Sequence, residues 1–113
     1  MNVVRVPPIQ LSPISETNLS WRWLSGQEPV DFSEIVNGSG WSAEFLLIHR
    51  REVLFRAPVD LSSDGYLAVT VPSAISEQMR CKKEPSYQIT ITSPYPDFSE
   101  VWTGSVAIYE VSQ

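Results

Sequence analysis

The chain has 113 residues, 8 Lys and Arg against 13 Asp and Glu, a net charge of −5 and a hydrophobic share of 42%, which describes one ordinary soluble domain able to bury a core unaided. A single His (His49) and a single Cys (Cys81) exclude an intrachain disulfide and the usual four-ligand zinc site from this chain alone, and no cofactor is expected. The longest apolar run, Phe45-Leu46-Leu47-Ile48, is far below the roughly 20 residues of a membrane helix, and the acidic balance argues against binding to a phosphate backbone; the expectation is no membrane insertion and no nucleic acid.

The chain opens Met1-Asn2-Val3-Val4-Arg5-Val6-Pro7-Pro8, without a charged segment followed by an apolar one, so synthesis in a cytoplasm without a secretory signal is expected. Pro7, Pro8 and Pro13 are mixed with Val3, Val4, Val6, Ile9, Leu11 and Ile14. That mixture suits an extended apolar arm over residues 1–17 rather than a polar disordered tail. Such an arm requires a surface, either its own domain or a neighbouring subunit.

From residue 18 onward the pattern has period two, the signature of half-buried strands. Leu19, Trp21 and Trp23 alternate with polar residues up to Ser25-Gly26. Trp41, Ala43, Phe45 and Leu47 form a second strand entered from Asn37-Gly38-Ser39-Gly40, and Val53 to Arg56 a third. Ser62-Ser63-Asp64-Gly65 is a turn, since Asp-Gly tolerates the positive φ of tight hairpins. Leu67, Val69 and Val71 then alternate until Pro72, and the segment from Ser73 to Arg80 reads as a short crossover helix. Tyr87, Ile89 and Ile91 make the next strand, closed by Ser93-Pro94-Tyr95-Pro96-Asp97. The last strand, Val101 to Val111, places Trp102, Val106 and Ile108 on one face, with Gly104 marking a bulge or the close approach of another backbone. Short strands separated by turns predict an antiparallel β-sandwich over 18–113, with a closed small barrel as the alternative.

The residues offer little catalytic chemistry. His49 sits in His49-Arg50-Arg51 at a strand end, and Cys81 follows the helix with no local partner. Glu28, Asp31 and Glu34 form a loop cluster of acids that reads as solvated rather than as a glycosidase pair. Asn37-Gly38-Ser39-Gly40-Trp41 lacks the Lys-Ser/Thr ending and the helix of a phosphate loop. Basic residues gather in His49-Arg50-Arg51 with Arg56 and in Arg80-Lys82-Lys83, and no base follows Lys83. The expectation is a protein that is not an enzyme. Aromatic residues, 11% of the chain, carry more information because they dominate contact hot spots. Trp21, Trp23, Trp41 and Trp102 lie in phase with strand core faces, whereas Tyr95 and Phe98, in a loop rich in proline, are candidates for contact with a partner.

The order of these pieces resembles the N-terminal sandwich domain of phage baseplate upper proteins and related small phage tail or fibre-attachment proteins. The matching residues are Ser20-Trp21-Arg22-Trp23, Pro29-Val30-Asp31-Phe32-Ser33, Gly40-Trp41-Ser42-Ala43, Asp64-Gly65, the Ser73 to Arg80 helix, Ser86-Tyr87-Gln88-Ile89 and Trp102-Thr103-Gly104-Ser105-Val106-Ala107-Ile108. The likeness spans residues 18–112, with Tyr87 and Gly104 as structural markers. Two departures from that pattern are expected: the chain lacks the family's long C-terminal receptor-binding extension, and its proline-rich arm has no counterpart there. The resemblance implies an all-β, immunoglobulin-like antiparallel sandwich with one short helix and an extended N-terminal arm, in a non-enzymatic virion or prophage protein made in the host cytoplasm.

The function expected is assembly within a tail, baseplate or fibre attachment, with other virion or tail proteins as partners. If copies of the chain associate, Val4, Val6, Ile9 and Leu11 of the arm are expected to insert into a neighbour, each contributing on the order of 1 kcal/mol or more. The alternative is a small carbohydrate-binding module that stacks Tyr95 and Phe98 on sugar rings.

Overall fold

The computed structural model describes residues 2–95 and 98–108. In chain order the elements are β1 (Asn2–Arg5), β2 (Ile9–Leu11), β3 (Thr17–Arg22), β4 (Leu24–Ser25), β5 (Glu28–Pro29), β6 (Ile35–Val36), β7 (Ser39–Gly40), β8 (Ser42–His49), β9 (Glu52–Pro58), β10 (Asp60–Leu61), β11 (Tyr66–Val71), α1 (Ser73–Met79), β12 (Ser86–Thr92) and β13 (Ser99–Ile108). The final residues of the expected last strand, 109–111, and Pro96-Asp97 of the expected turn lie outside the described residues.

The large sheet runs β1-β13-β12-β8-β9, with β2 also on β13, and the small sheet runs β10-β11-β3. This order, with β8, β12 and β13 in one layer and β3, β11 and β10 in the other, is that of an immunoglobulin-like sandwich. Each sheet keeps its own margins, so the arrangement is a sandwich and not a closed barrel. Helix α1 carries the chain from β11 in the small sheet to β12 in the large one. Pro72 supplies the extended residue that precedes it, and Ser76 and Met79 turn into the core.

Alternation sets what each strand buries. Phe45 and Leu47 of β8, Tyr87, Ile89 and Ile91 of β12, and Trp102 and Val106 of β13 face Leu67, Val69 and Val71 of β11 in one hydrophobic core. Full burial of side chains of this size contributes about 1.5–3 kcal/mol each. The tight turns use left-handed backbone: Asn37 and Gly38 join β6 to β7 with φ of 51° and 81°, and Arg50 and Arg51 join β8 to β9 with φ of 52° and 69°. The pair of turns around Gly26 and Gly38 thus closes two small hairpins, β4–β5 and β6–β7, which the period-two reading does not resolve because each strand has only two residues.

Of the two surfaces open to the arm, it takes its own domain, and it does so as strands. β1 pairs with β13 in parallel, Asn2 opposite Glu100 to Arg5 opposite Thr103, and β2 continues the same parallel pairing, Ile9 opposite Val106 to Leu11 opposite Ile108. The sandwich is therefore not wholly antiparallel, and residues 2–11 belong to its large sheet. Ile9 and Leu11 are buried in the chain's own core, because the Ile-x-Leu spacing puts both on the face that β13 buries. Between β1 and β2, Pro7 and Pro8 interrupt the ladder, since neither has an amide proton to give.

That interruption lies beside Gly104. The Tyr87 ring crosses the face of Gly104, where a Cβ would stand 2.5 Å from its Cε1 atom. The hydroxyl reaches the arm and donates a 2.6 Å hydrogen bond to the Pro7 carbonyl. The close approach at Gly104 is thus made by a side chain, not by another backbone or a bulge.

Candidate functional site

One end of the sandwich concentrates aromatic rings contributed by widely separated segments. Trp23 follows β3, Phe32 follows β5, Trp41 precedes β8, Phe98 precedes β13 and Trp102 lies within β13. Trp23 is their hub: its ring stacks on Phe98 at 6.1 Å and 17°, and meets Trp41 and Trp102 edge to face, each at 5.7 Å. Phe32 closes the set with an edge contact to Trp41 at 5.2 Å. Offset and edge-to-face pairs of this kind add to the stabilisation from burial alone.

Local structure fixes the hub. The Trp23 amide donates to the Gly65 carbonyl at 2.8 Å, and its carbonyl accepts from the Val30 amide at 3.1 Å. Gly65 has φ of 84°, and any Cβ there would lie 2.7 Å from the Trp23 carbonyl oxygen. The Asp64-Gly65 turn is thereby fitted against Trp23 as well as reversing the chain. Across the cluster, buried Ser93 braces the loop that carries Tyr95 and Phe98. Its hydroxyl accepts the Tyr95 amide at 3.1 Å and lies 2.9 Å from the Phe98 carbonyl.

Tyr95 and Phe98 are 46% and 38% exposed, so these two contact candidates sit at the rim while Trp23 and Trp41 form the floor. Together with Ser25 and Val30 they enclose an apolar cleft of about 270 Å³. This is below the roughly 300–1,000 Å³ of pockets that take drug-sized ligands and has room for a side chain of a partner. Tyr95 donates its hydroxyl to the Glu34 carboxylate. That bond, with burial and the charge of Glu34 adding to it, holds the Tyr95 hydroxyl above its ordinary titration range.

The arm candidates divide. Ile9 and Leu11 are core residues, as described above, and offer nothing to a neighbour in this arrangement. Val4 and Val6 line a second apolar groove with Trp21, Trp23, Leu24 and Trp102. Trp23 therefore separates the two clefts, with Val4 and Val6 on one side and Tyr95 and Phe98 on the other.

The acids do not converge. Asp31 accepts the hydroxyl and the amide of Ser33, which holds its carboxyl below the usual carboxylate range, while Glu34 is bonded to Tyr95. Among the described residues no group of three or more His, Cys, Asp or Glu side chains is placed to hold a metal ion. Also among these residues, no helix is long and apolar enough to cross a membrane. His49 ends β8 opposite Glu52, and Cys81 is exposed beyond α1.

Sequence reasoning found the rim but not Phe32, Ser93 or Gly65, which build the site. Ser93 carried a usable signal, because a serine before proline at a strand end often bonds backbone groups two residues on. Phe32 carried none, since an isolated aromatic in a loop has no periodicity to place it.

No protein-family model matches the chain, and no curated protein matches it. Among solved structures it is similar to the M1 domain from titin, with a TM-score of 0.46 and 7% identity over 97% of this chain and 95% of that one. It is also similar to the titin M3 domain, with a TM-score of 0.45 and 11% identity over 96% of this chain and 93% of that one.

Proposed function

We propose that the chain is a non-enzymatic structural module of a phage or prophage tail, baseplate or fibre attachment, acting by protein–protein contact through the aromatic end of its sandwich. The observation that supports contact at this end is the exposed pair Tyr95 and Phe98 over a floor of Trp23 and Trp41. Rings held in place by Ser93 and by stacking lose little conformational entropy when a partner covers them. Aromatic clusters of this kind supply most of the binding energy in protein interfaces. A sugar would need polar groups lining the rings, whereas the cleft is walled mainly by Trp23, Val30, Trp41, Tyr95 and Phe98, which favours an apolar side chain of a protein partner over a glycan.

The virion setting rests on the resemblance carried by residues 18–112, and with it the location: synthesis in the host cytoplasm, then incorporation in the particle. Mass spectrometry of phage-like particles purified after induction tests it. The chain is expected at an abundance in fixed ratio to the tail proteins. Its absence from intact particles, together with a tryptophan fluorescence response to polysaccharides that Phe98→Ala removes, would overturn the assembly reading in favour of a glycan-binding one.

A further inference from the structure

The margins of the two sheets are not alike. The large sheet ends on one side at β1 and the 3-residue β2 and on the other at β9, and the small sheet ends at β10 and β3. β1 carries Arg5 and runs into Pro7-Pro8; β9 carries Glu52 and Arg56, ends in Pro58 and lies opposite a register shift in its pairing with β8; β10 has only 2 residues. Charge, proline, irregularity and shortness are the features by which sheet edges resist the addition of another strand. β3 has none of them to the same degree: it runs for 6 residues without Pro or Gly, and its one charge is Arg22 at the end.

The hydrogen-bond pattern leaves this edge open. Trp23 donates its amide to Gly65, and the β3–β11 register continues that pairing with Trp21 opposite Leu67 and Leu19 opposite Val69. In an antiparallel ladder the intervening residues direct their N–H and C=O groups the other way. Asn18, Ser20 and Arg22 therefore present theirs at the free edge. Beside it lies the apolar groove of about 670 Å³ lined by Val4, Trp21, Trp23, Leu24 and Trp102.

We infer that β3 pairs antiparallel with β3 of a second copy of this chain about a twofold axis at Leu19, joining the two small sheets into one. The charges choose both the occupant and the register. With the axis at Leu19, Glu16 of each copy stands opposite Arg22 of the other, Asn18 meets Ser20, and no like charges face each other. An axis at Ser20 forgoes both ion pairs, and one at Arg22 sets the two arginines against each other. A surface that complements itself under a twofold is what a closed symmetric dimer requires. This pairing does not depend on the aromatic end, which remains free for a different partner.

Sedimentation equilibrium of the full chain from micromolar to millimolar concentration tests the pairing. The chain is expected to dimerise, and Arg22→Glu and Glu16→Arg are each expected to weaken dimerisation by about tenfold, because each sets like charges across the axis at both ends. An equimolar mixture of the two variants should recover the wild-type association, since position 16 of one copy again meets the opposite charge at position 22 of the other. That recovery cannot come from a folding defect. Ser20→Pro, which removes an outward amide not used by β11, should abolish association while far-ultraviolet circular dichroism stays unchanged. A monomer throughout the concentration range, or a dimer indifferent to either charge reversal, or no recovery in the mixture, would overturn the inference.

Discussion

Tyr87 reaches over Gly104 to bond Pro7, so one side chain on β12 crosses β13 and fastens the arm at the point where two prolines break its ladder. Three positions far apart in sequence form one device: a ring, a gap for the ring, and a carbonyl left over by the interruption. Gly104→Ala should lower stability by about 1–3 kcal/mol, since the added methyl would overlap the ring and force it or β13 to move. Urea denaturation of the variant checks this, and an unchanged midpoint would refute the close approach.

Removing only the hydroxyl separates the bond from the packing. Tyr87→Phe keeps the ring over Gly104 and should cost about 1 kcal/mol, the usual worth of one hydrogen bond. Hydrogen exchange should quicken most at the β2 amides of Ile9 to Leu11, because the arm loses its fastening. Faster exchange spread evenly over the sandwich would contradict that account.

Deleting residues 1–11 should do more than detach a contact arm. It removes the buried side chains of Ile9 and Leu11, each worth about 1.5–3 kcal/mol, and uncovers the β13 edge beside Trp102 and Val106. The truncated chain is expected to be largely unfolded or strongly destabilised in a thermal melt. A cooperative transition near that of the full chain would show that the arm is dispensable to the sandwich.

Alkaline pH should weaken the fold through two tyrosines. Burial raises the Tyr87 hydroxyl above its ordinary 10.0, and the bond to Glu34 does the same for Tyr95. A folded value above the unfolded one means that the neutral phenol is favoured in the native state. The contribution is therefore complete below the ordinary value and lost as pH rises through the raised ones. Phenolate absorbance should show both groups ionising late, and Glu34→Gln should move Tyr95 earlier while leaving Tyr87 in place.

At the aromatic end, Phe98→Ala removes the ring stacked on Trp23 and should cost about 1–2 kcal/mol, given that Phe98 is partly exposed. Tryptophan emission should shift to longer wavelength as water reaches Trp23. Emission unchanged from wild type would mean that the stack does not shield the hub.

The sequence by itself determined the strands in which alternation runs long enough to be read. β3, β8, β11 and β12 follow directly from Leu19-x-Trp21, Ala43-x-Phe45-x-Leu47, Leu67-x-Val69-x-Val71 and Tyr87-x-Ile89-x-Ile91, because a strand buried on one face leaves its period in the chain. The helix after Pro72 and the exposed position of Tyr95 and Phe98 were legible for similarly local reasons, a proline that stops a strand and prolines that hold out a loop. Only the tertiary structure decided where the arm lies. Val4, Ile9 and Leu11 look alike as apolar residues among prolines, yet parallel pairing with β13 buries Ile9 and Leu11 and leaves Val4 on a groove. It also decided that Gly104 makes way for a ring and that Trp23 joins Phe32, Trp41, Phe98 and Trp102. Pairing between strands about a hundred residues apart and contacts between loops at one end of a sandwich leave no periodic trace, since they depend on which faces the folded sheets bring together.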